Sequence, residues 1–152
     1  MTMGSKAEKV LTDLVLMKSQ DTDPMAPIAG YVSDFMKRLG MDVRRYSSDE
    51  KPSFVGEHGK GGVVLSGHLD TVPIGTGWTR GQGEVVDGVM YGRGTNDMKG
   101  GCAAMLLAAE KLVAAGVPFA LCFTTDEETS MDGAGAASKD PAIAAAPAVV
   151  VT

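Results

Sequence analysis

Apolar residues recur at helical spacing twice near the start of the chain. In "KAEKVLTDLVLMKS" they are Val10, Leu11, Leu14 and Met17; in "MAPIAGYVSDFMKRLG" they are Ile28, Tyr31, Val32, Phe35 and Met36, with Gly40 closing the pattern. The spacing predicts two amphipathic helices. Extended segments follow at "DVRRYS", "SFVGEH" and "GGVVLSGH", and the continuous apolar centre of the last is that of a strand buried on both faces. A Gly-rich loop then leads to "EVVDGVMYG", a short hairpin with Asp87 and Gly88 at its turn, and to a helix from about Met98 to Ala115. The run "VPFALCFTT" reads as a buried strand ending at Thr125. A helix beginning near Gly133 and an Ala-rich stretch lead to a last strand in "AVVVT". Strands alternating with helices of this length predict an α/β layered sheet, in which functional loops follow the carboxyl ends of strands.

Composition narrows the function. At 152 residues and 44% hydrophobic content, the chain can bury the core of one ordinary domain. Its net charge of -5 is unevenly placed: residues 1–60 hold nine basic and nine acidic side chains, and residues 61–152 hold five and ten. An acidic balance without a basic stripe argues against nucleic acid or anionic membrane as a partner and suits a site that binds cations. Cys102 and Cys122 lie in apolar segments without CxxC spacing and read as reduced core residues. The amino terminus has no long apolar stretch, and no run approaches the roughly 18 residues of a membrane span, so a cytoplasmic protein is expected.

The chemistry concentrates in three places. "SGHLDTVP" sets His68 and Asp70 two residues apart; if the strand runs through both, the carboxylate can fix the imidazole tautomer and leave the other nitrogen for a metal. "YGRGTNDMKGG" places Asp97 at the start of the predicted helix, and "TTDEETS" puts Asp126, Glu127 and Glu128 at a strand terminus. Taken singly, these read as a hydrogen-bonded core histidine, a helix N-cap and a charged loop. Together they are one imidazole and several carboxylates at the ends of successive strands or the turns that follow, a donor set suited to zinc and related divalent metals. Neighbouring Glu127 and Glu128 point in different directions, so one can bind metal while the other takes a proton. Templates for a phosphate-binding loop, a dinucleotide fingerprint and a GxSxG nucleophile are absent.

In order and spacing, "SGHLDTVP", "DGVMYGRGTNDMKGG" and "TTDEETSMDGA" resemble the co-catalytic dizinc peptidases and deacylases that include acetylornithine deacetylase, succinyl-diaminopimelate desuccinylase, aminoacylase-1 and glutamate carboxypeptidase. "GHLDTVP", "GWTR" and "DEETSMDGA" look closest to acetylornithine deacetylase. The resemblance implies a three-layer α/β/α sheet, with residues 1–152 forming the amino-terminal part of the catalytic domain and the lid or dimerisation domain and the remaining catalytic portion lying outside it. It implies that His68 binds one zinc, Asp97 bridges two, Glu128 binds the second, Asp70 orients His68 and Glu127 is the general base, with a cis peptide at Asp97–Met98. The implied reaction is hydrolysis of an N-acyl amide on a small amino acid, N-acetylornithine first and succinyl-diaminopimelate second, with Zn2+ replaceable by Co2+ and a homodimeric full-length enzyme. Family members supply further ligands beyond this stretch, so weak or partial metal binding and little turnover are expected of the chain alone. The competing class is a non-catalytic metal-binding or interaction module.

Overall fold

Both amphipathic stripes form helices. The computed structural model describes residues 3–152, beginning with α1 (Met3–Leu16) and α2 (Ala26–Arg38). Leu14, Ile28, Val32 and Met36 on these helices are fully buried. Pro27 sits in the first turn of α2, where its missing N–H costs nothing, and Lys37 and Arg38 in the last turn face the negative end of the helix dipole. The strands are β1 (Asp42–Tyr46), β2 (Ser53–His58), β3 (Val63–His68), β4 (Glu84–Val86), β5 (Val89–Tyr91), β6 (Phe119–Thr124) and β7 (Val149–Val151). Three further helices are α3 (Gly100–Ala114), α4 (Asp132–Ala137) and α5 (Pro141–Ala144).

Five strands make one mixed sheet in the order β1-β2-β6-β3-β7, and β4 and β5 form the separate hairpin. Asp87 and Gly88 both take positive φ, 51° and 79°, as a two-residue hairpin turn requires. Central β6 shows why the molecule has three layers. Phe119, Leu121 and Phe123 enter a core shared with residues of α1, α2 and α3, such as Leu14, Met36 and Leu106. Ala120 and Cys122 enter a second core with Val55, Val64 and Ala137 of α4. Alternate side chains point to opposite faces of a strand, so a strand buried at every position must be covered on both sides.

The structure departs from the expectations at a few places. β3 is not buried throughout: Val63 at its start is 38% exposed, and Leu65 and Ser66, although paired with β7, are half-buried. β3 ends at His68, so Asp70 lies in the segment beyond it rather than two strand positions along. The helix expected from Met98 begins at Gly100, after a turn over Thr95–Lys99 in which Asp97 (φ -129°, ψ 101°) and Met98 (φ -132°, ψ 32°) have non-helical backbone. Asp97 therefore does not cap α3. The Asp97–Met98 peptide bond is cis, as the resemblance implies, and both cysteines are free and buried.

Candidate metal centre

The site follows from strand register. β3 and β6 pair in parallel with His68 opposite Thr124, so both strands end on the same edge of the sheet. The segment after β6 therefore delivers Glu127 and Glu128 beside His68, while the turn before α3 brings Asp97 to the same place. One ligand atom each from His68, Asp97 and Glu128 lies within 4.8 Å of the other two. His68 Nε2 is 3.1 Å from Asp97 Oδ1 and 3.7 Å from Glu127 Oε2. The imidazole is buried, whereas the Asp97 side chain is 72% exposed and that of Glu127 39% exposed, so the acids form the open side of the site.

Asp70 holds the inner side. His68 Nδ1 lies 3.0 Å from the Asp70 carbonyl oxygen and 3.5 Å from its carboxylate. The nearer partner is the main chain, because the strand has ended and the backbone turns back toward the ring. The Asp70 carboxylate instead accepts the Glu128 amide N–H at 2.9 Å, joining the segment after β3 to the one after β6. Burial pushes the Asp70 carboxyl up, but His68 and the Glu128 and Glu127 amides together hold it below the usual carboxylate range. Burial also pushes His68 down, yet Asp70, Asp97 and Glu127 outweigh it and raise the imidazolium pKa to about 9. The Glu128 carboxyl is raised by burial and by the charges of Asp97, Glu127 and Asp70, against the opposing pull of His68.

This donor set fits a divalent cation. Crowded carboxylates raise one another's pKa, a bound cation would offset their repulsion and take the place of the His68 proton, and mixed imidazole and carboxylate donors are those zinc accepts. Cys102, pushed up to about 12 by burial, is not a thiolate donor; its Sγ–H donates to the His68 carbonyl at 3.2 Å. Two supporting residues, Lys99 and Lys51, escaped the sequence reading of the site, as did the separate role of a third, Asp126. Lys99 is 2% exposed and donates from Nζ to the Met17 carbonyl at 2.9 Å, tying the turn before α3 to the end of α1. Lys51 pairs with Asp126 at 2.6 Å. Asp126 was visible in the acidic triplet, but nothing in the pattern separated its role from those of its neighbours, and nothing near Lys51 marks it.

Known proteins are similar to this chain over much of its length. The probable succinyl-diaminopimelate desuccinylase of Staphylococcus epidermidis is 34% identical over 147 residues, covering 88% of this chain and 36% of that protein. The acetylornithine deacetylase of Salmonella typhimurium is 44% identical over 91 residues, covering 57% of this chain and 24% of that protein. The chain thus spans about a third of the length of the staphylococcal relative. The crystal structure of human carnosine dipeptidase 1 superimposes with a TM-score of 0.83 over 98% of this chain and 38% of its own, at 23% identity, which establishes a shared fold. The model of peptidase family M20/M25/M40 matches residues 64–151, more than half of the chain and the stretch from within β3 to the end of β7 that carries His68, Asp97, Glu127 and Glu128, and the chain belongs to that family.

Proposed function

We propose that this chain is the metal-bearing amino-terminal part of the catalytic domain of an amide hydrolase acting on N-acylated amino acids. The observation that carries the reading is the convergence of His68, Asp97 and Glu128 within 4.8 Å, with a further carboxylate, Glu127, at its open side. His68, Asp97 and Glu128 would hold zinc, with cobalt as a substitute; two ions make a complete site, and the longer protein supplies further ligands. Bound zinc contributes Lewis-acid polarisation of the acyl carbonyl and an acidified water. Glu127 takes the proton of the attacking water and returns it to the departing amine. Asp70 steadies His68 through its carbonyl and Glu128 through its carboxylate.

N-acetylornithine, giving ornithine and acetate, is the first substrate reading and places the enzyme in arginine biosynthesis. It is supported by the 44% identity to the Salmonella deacetylase. Succinyl-diaminopimelate is the second, supported by the more extensive match to the staphylococcal protein. Competition between the two acyl substrates in the full-length protein separates them. The full-length protein is read as a cytoplasmic homodimer; none of the described helices is long and apolar enough to cross a membrane.

Two measurements test the reading. In a native mass spectrum of the 152-residue chain, one or two zinc ions retained per chain support a preorganised site, and none assigns metal binding to the longer protein alone. In the full-length enzyme, Glu127→Gln should keep the metal content and lose at least about 100-fold in turnover. A near-normal rate removes Glu127 from the proton-transfer role, and a full-length protein with metal but no hydrolysis of any acyl amino acid favours a binding module.

A further inference from the structure

The three consecutive acids do different work. Glu127 approaches His68 and Glu128 joins His68 and Asp97, whereas the Asp126 carboxylate meets Lys51 in the segment leading into β2. Asp126 is 8% exposed and takes φ 75°, a left-handed conformation that aspartate tolerates better than most residues. Lys51 Nζ donates to its carboxylate at 2.6 Å and bridges at the same distance to Asp21. The hydroxyls of Thr129 and Ser130 also donate to that carboxylate, and the Met131 amide donates to the Asp126 carbonyl at 2.7 Å, closing residues 126–131 into a loop around it. The same seam is tied through Thr125, whose hydroxyl donates to the Lys51 carbonyl at 2.9 Å and whose amide donates to Ser53 Oγ at 3.1 Å.

The loop is therefore gripped at two points. Asp126 fastens it to the β2 side, and the Glu128 amide fastens it to Asp70. Between these two points Glu127 and Glu128 are turned toward His68. We infer that Lys51 and Asp126 are positioning residues, whose ion pair and hydroxyl contacts set the loop so that Glu127 and Glu128 face the metal centre. The inference rests on the roles proposed above for those two glutamates. It also explains how three acids stand in a row: Lys51 offsets the first, and the cation site draws the other two together.

The Glu128 amide reports loop position without any metal. In the metal-free 152-residue chain, Asp126→Asn and Lys51→Met should speed hydrogen exchange at Glu128 about tenfold while Leu121 and Phe123 in β6 keep their rates, and Lys51→Arg should restore the Glu128 rate. Equal acceleration at Glu128 and β6 would mean that the pair only stabilises the fold, and an unchanged Glu128 rate would mean that it does not set the loop; either result overturns the inference. Lys51 is partly exposed, so its variants carry the test if Asp126→Asn fails to fold. Cobalt titration followed by visible absorption links the loop to the site, with half-saturation expected to rise about tenfold in Asp126→Asn. Cobalt binding that is identical in parent and variants also overturns the inference. If the parent gives no cobalt band, the metal reading fails for this chain, and the Glu128 exchange rate decides the loop's positioning by itself.

Discussion

At the scale of single residues, small differences in local space decide large differences in effect. Gly133 and Gly135 both lie in α4, where replacement by alanine removes a helix penalty of about 1 kcal/mol. A methyl group at buried Gly133 would overlap the Thr125 carbonyl oxygen and lie 2.6 Å from Ser53 Oγ, whereas nothing stands within 4 Å of one at Gly135. Overpacking against backbone costs about 1–3 kcal/mol and exceeds the helix gain. Gly133→Ala should therefore lower the unfolding free energy in urea by up to about 2 kcal/mol, while Gly135→Ala should leave it unchanged or raise it by up to about 1 kcal/mol. The candidate ligands themselves were readable at this scale: His68, Asp97 and Glu128 each stand in a short motif whose residue types suit a metal. The tethers around them were not, because Lys51 lies far from Asp126 in sequence and meets it only through folding, and Lys99 reads as a surface cation until the helix start buries it.

Elements are joined by polar clamps as well as by apolar cores. The four-residue helix α5 is too short to persist unaided, and Asp140 at its N-cap fastens it to the sheet. The fully buried Asp140 carboxylate accepts hydrogen bonds from Arg44 Nε at 2.8 Å, Arg44 Nη2 at 2.9 Å, Tyr46 Oη at 2.8 Å and the Ala142 amide at 2.7 Å. Burial pushes this carboxyl up, but Arg44, the Ala142 amide and Tyr46 outweigh it and hold its pKa below the ordinary value. A carboxyl with a depressed folded pKa stabilises fully above its unfolded pKa near ~4, and that stabilisation drains away as pH falls through the lower folded value. Asp140→Asn should cost about 3 kcal/mol at neutral pH and should show a shallower loss of melting temperature than the parent as pH falls below about 4. A parallel acid limb in both proteins would remove Asp140 from this role. Elements of strong periodicity, α1, α2 and β6, were legible from the pattern. The turn before α3 was not, since the apolar pattern continues through Met98 while the backbone at Asp97 and Met98 leaves helical geometry.

For the whole molecule, the sheet is asymmetric. Its β1 edge lies beside the partly buried Arg44–Asp140 clamp, whereas β7 has no outer strand partner among the described residues, and Val149, Val150 and Val151 are 50%, 45% and 72% exposed. An unpaired apolar edge invites pairing with another chain, and a lysine on the edge opposes it. The 152-residue chain should therefore show a sedimentation coefficient that rises over a hundredfold range of concentration, and Val150→Lys should flatten that dependence. An unchanged coefficient in the parent would show the edge to be harmless. The layered α/β class was legible from alternating strands and helices and its three layers from the family resemblance, but the strand order was not: β2 and β3 are neighbours in sequence, yet β6 lies between them in the sheet. That insertion also governs how the molecule is assembled. Asp70 and Glu128 meet across 58 residues of chain only because β6 docks beside β3, so no local stretch can gather the donors by itself. Such distant pairings pay their closure entropy before they are rewarded and tend to form slowly. A bound ion would then act as a latch on the finished chain, slowing its unfolding without hastening its folding.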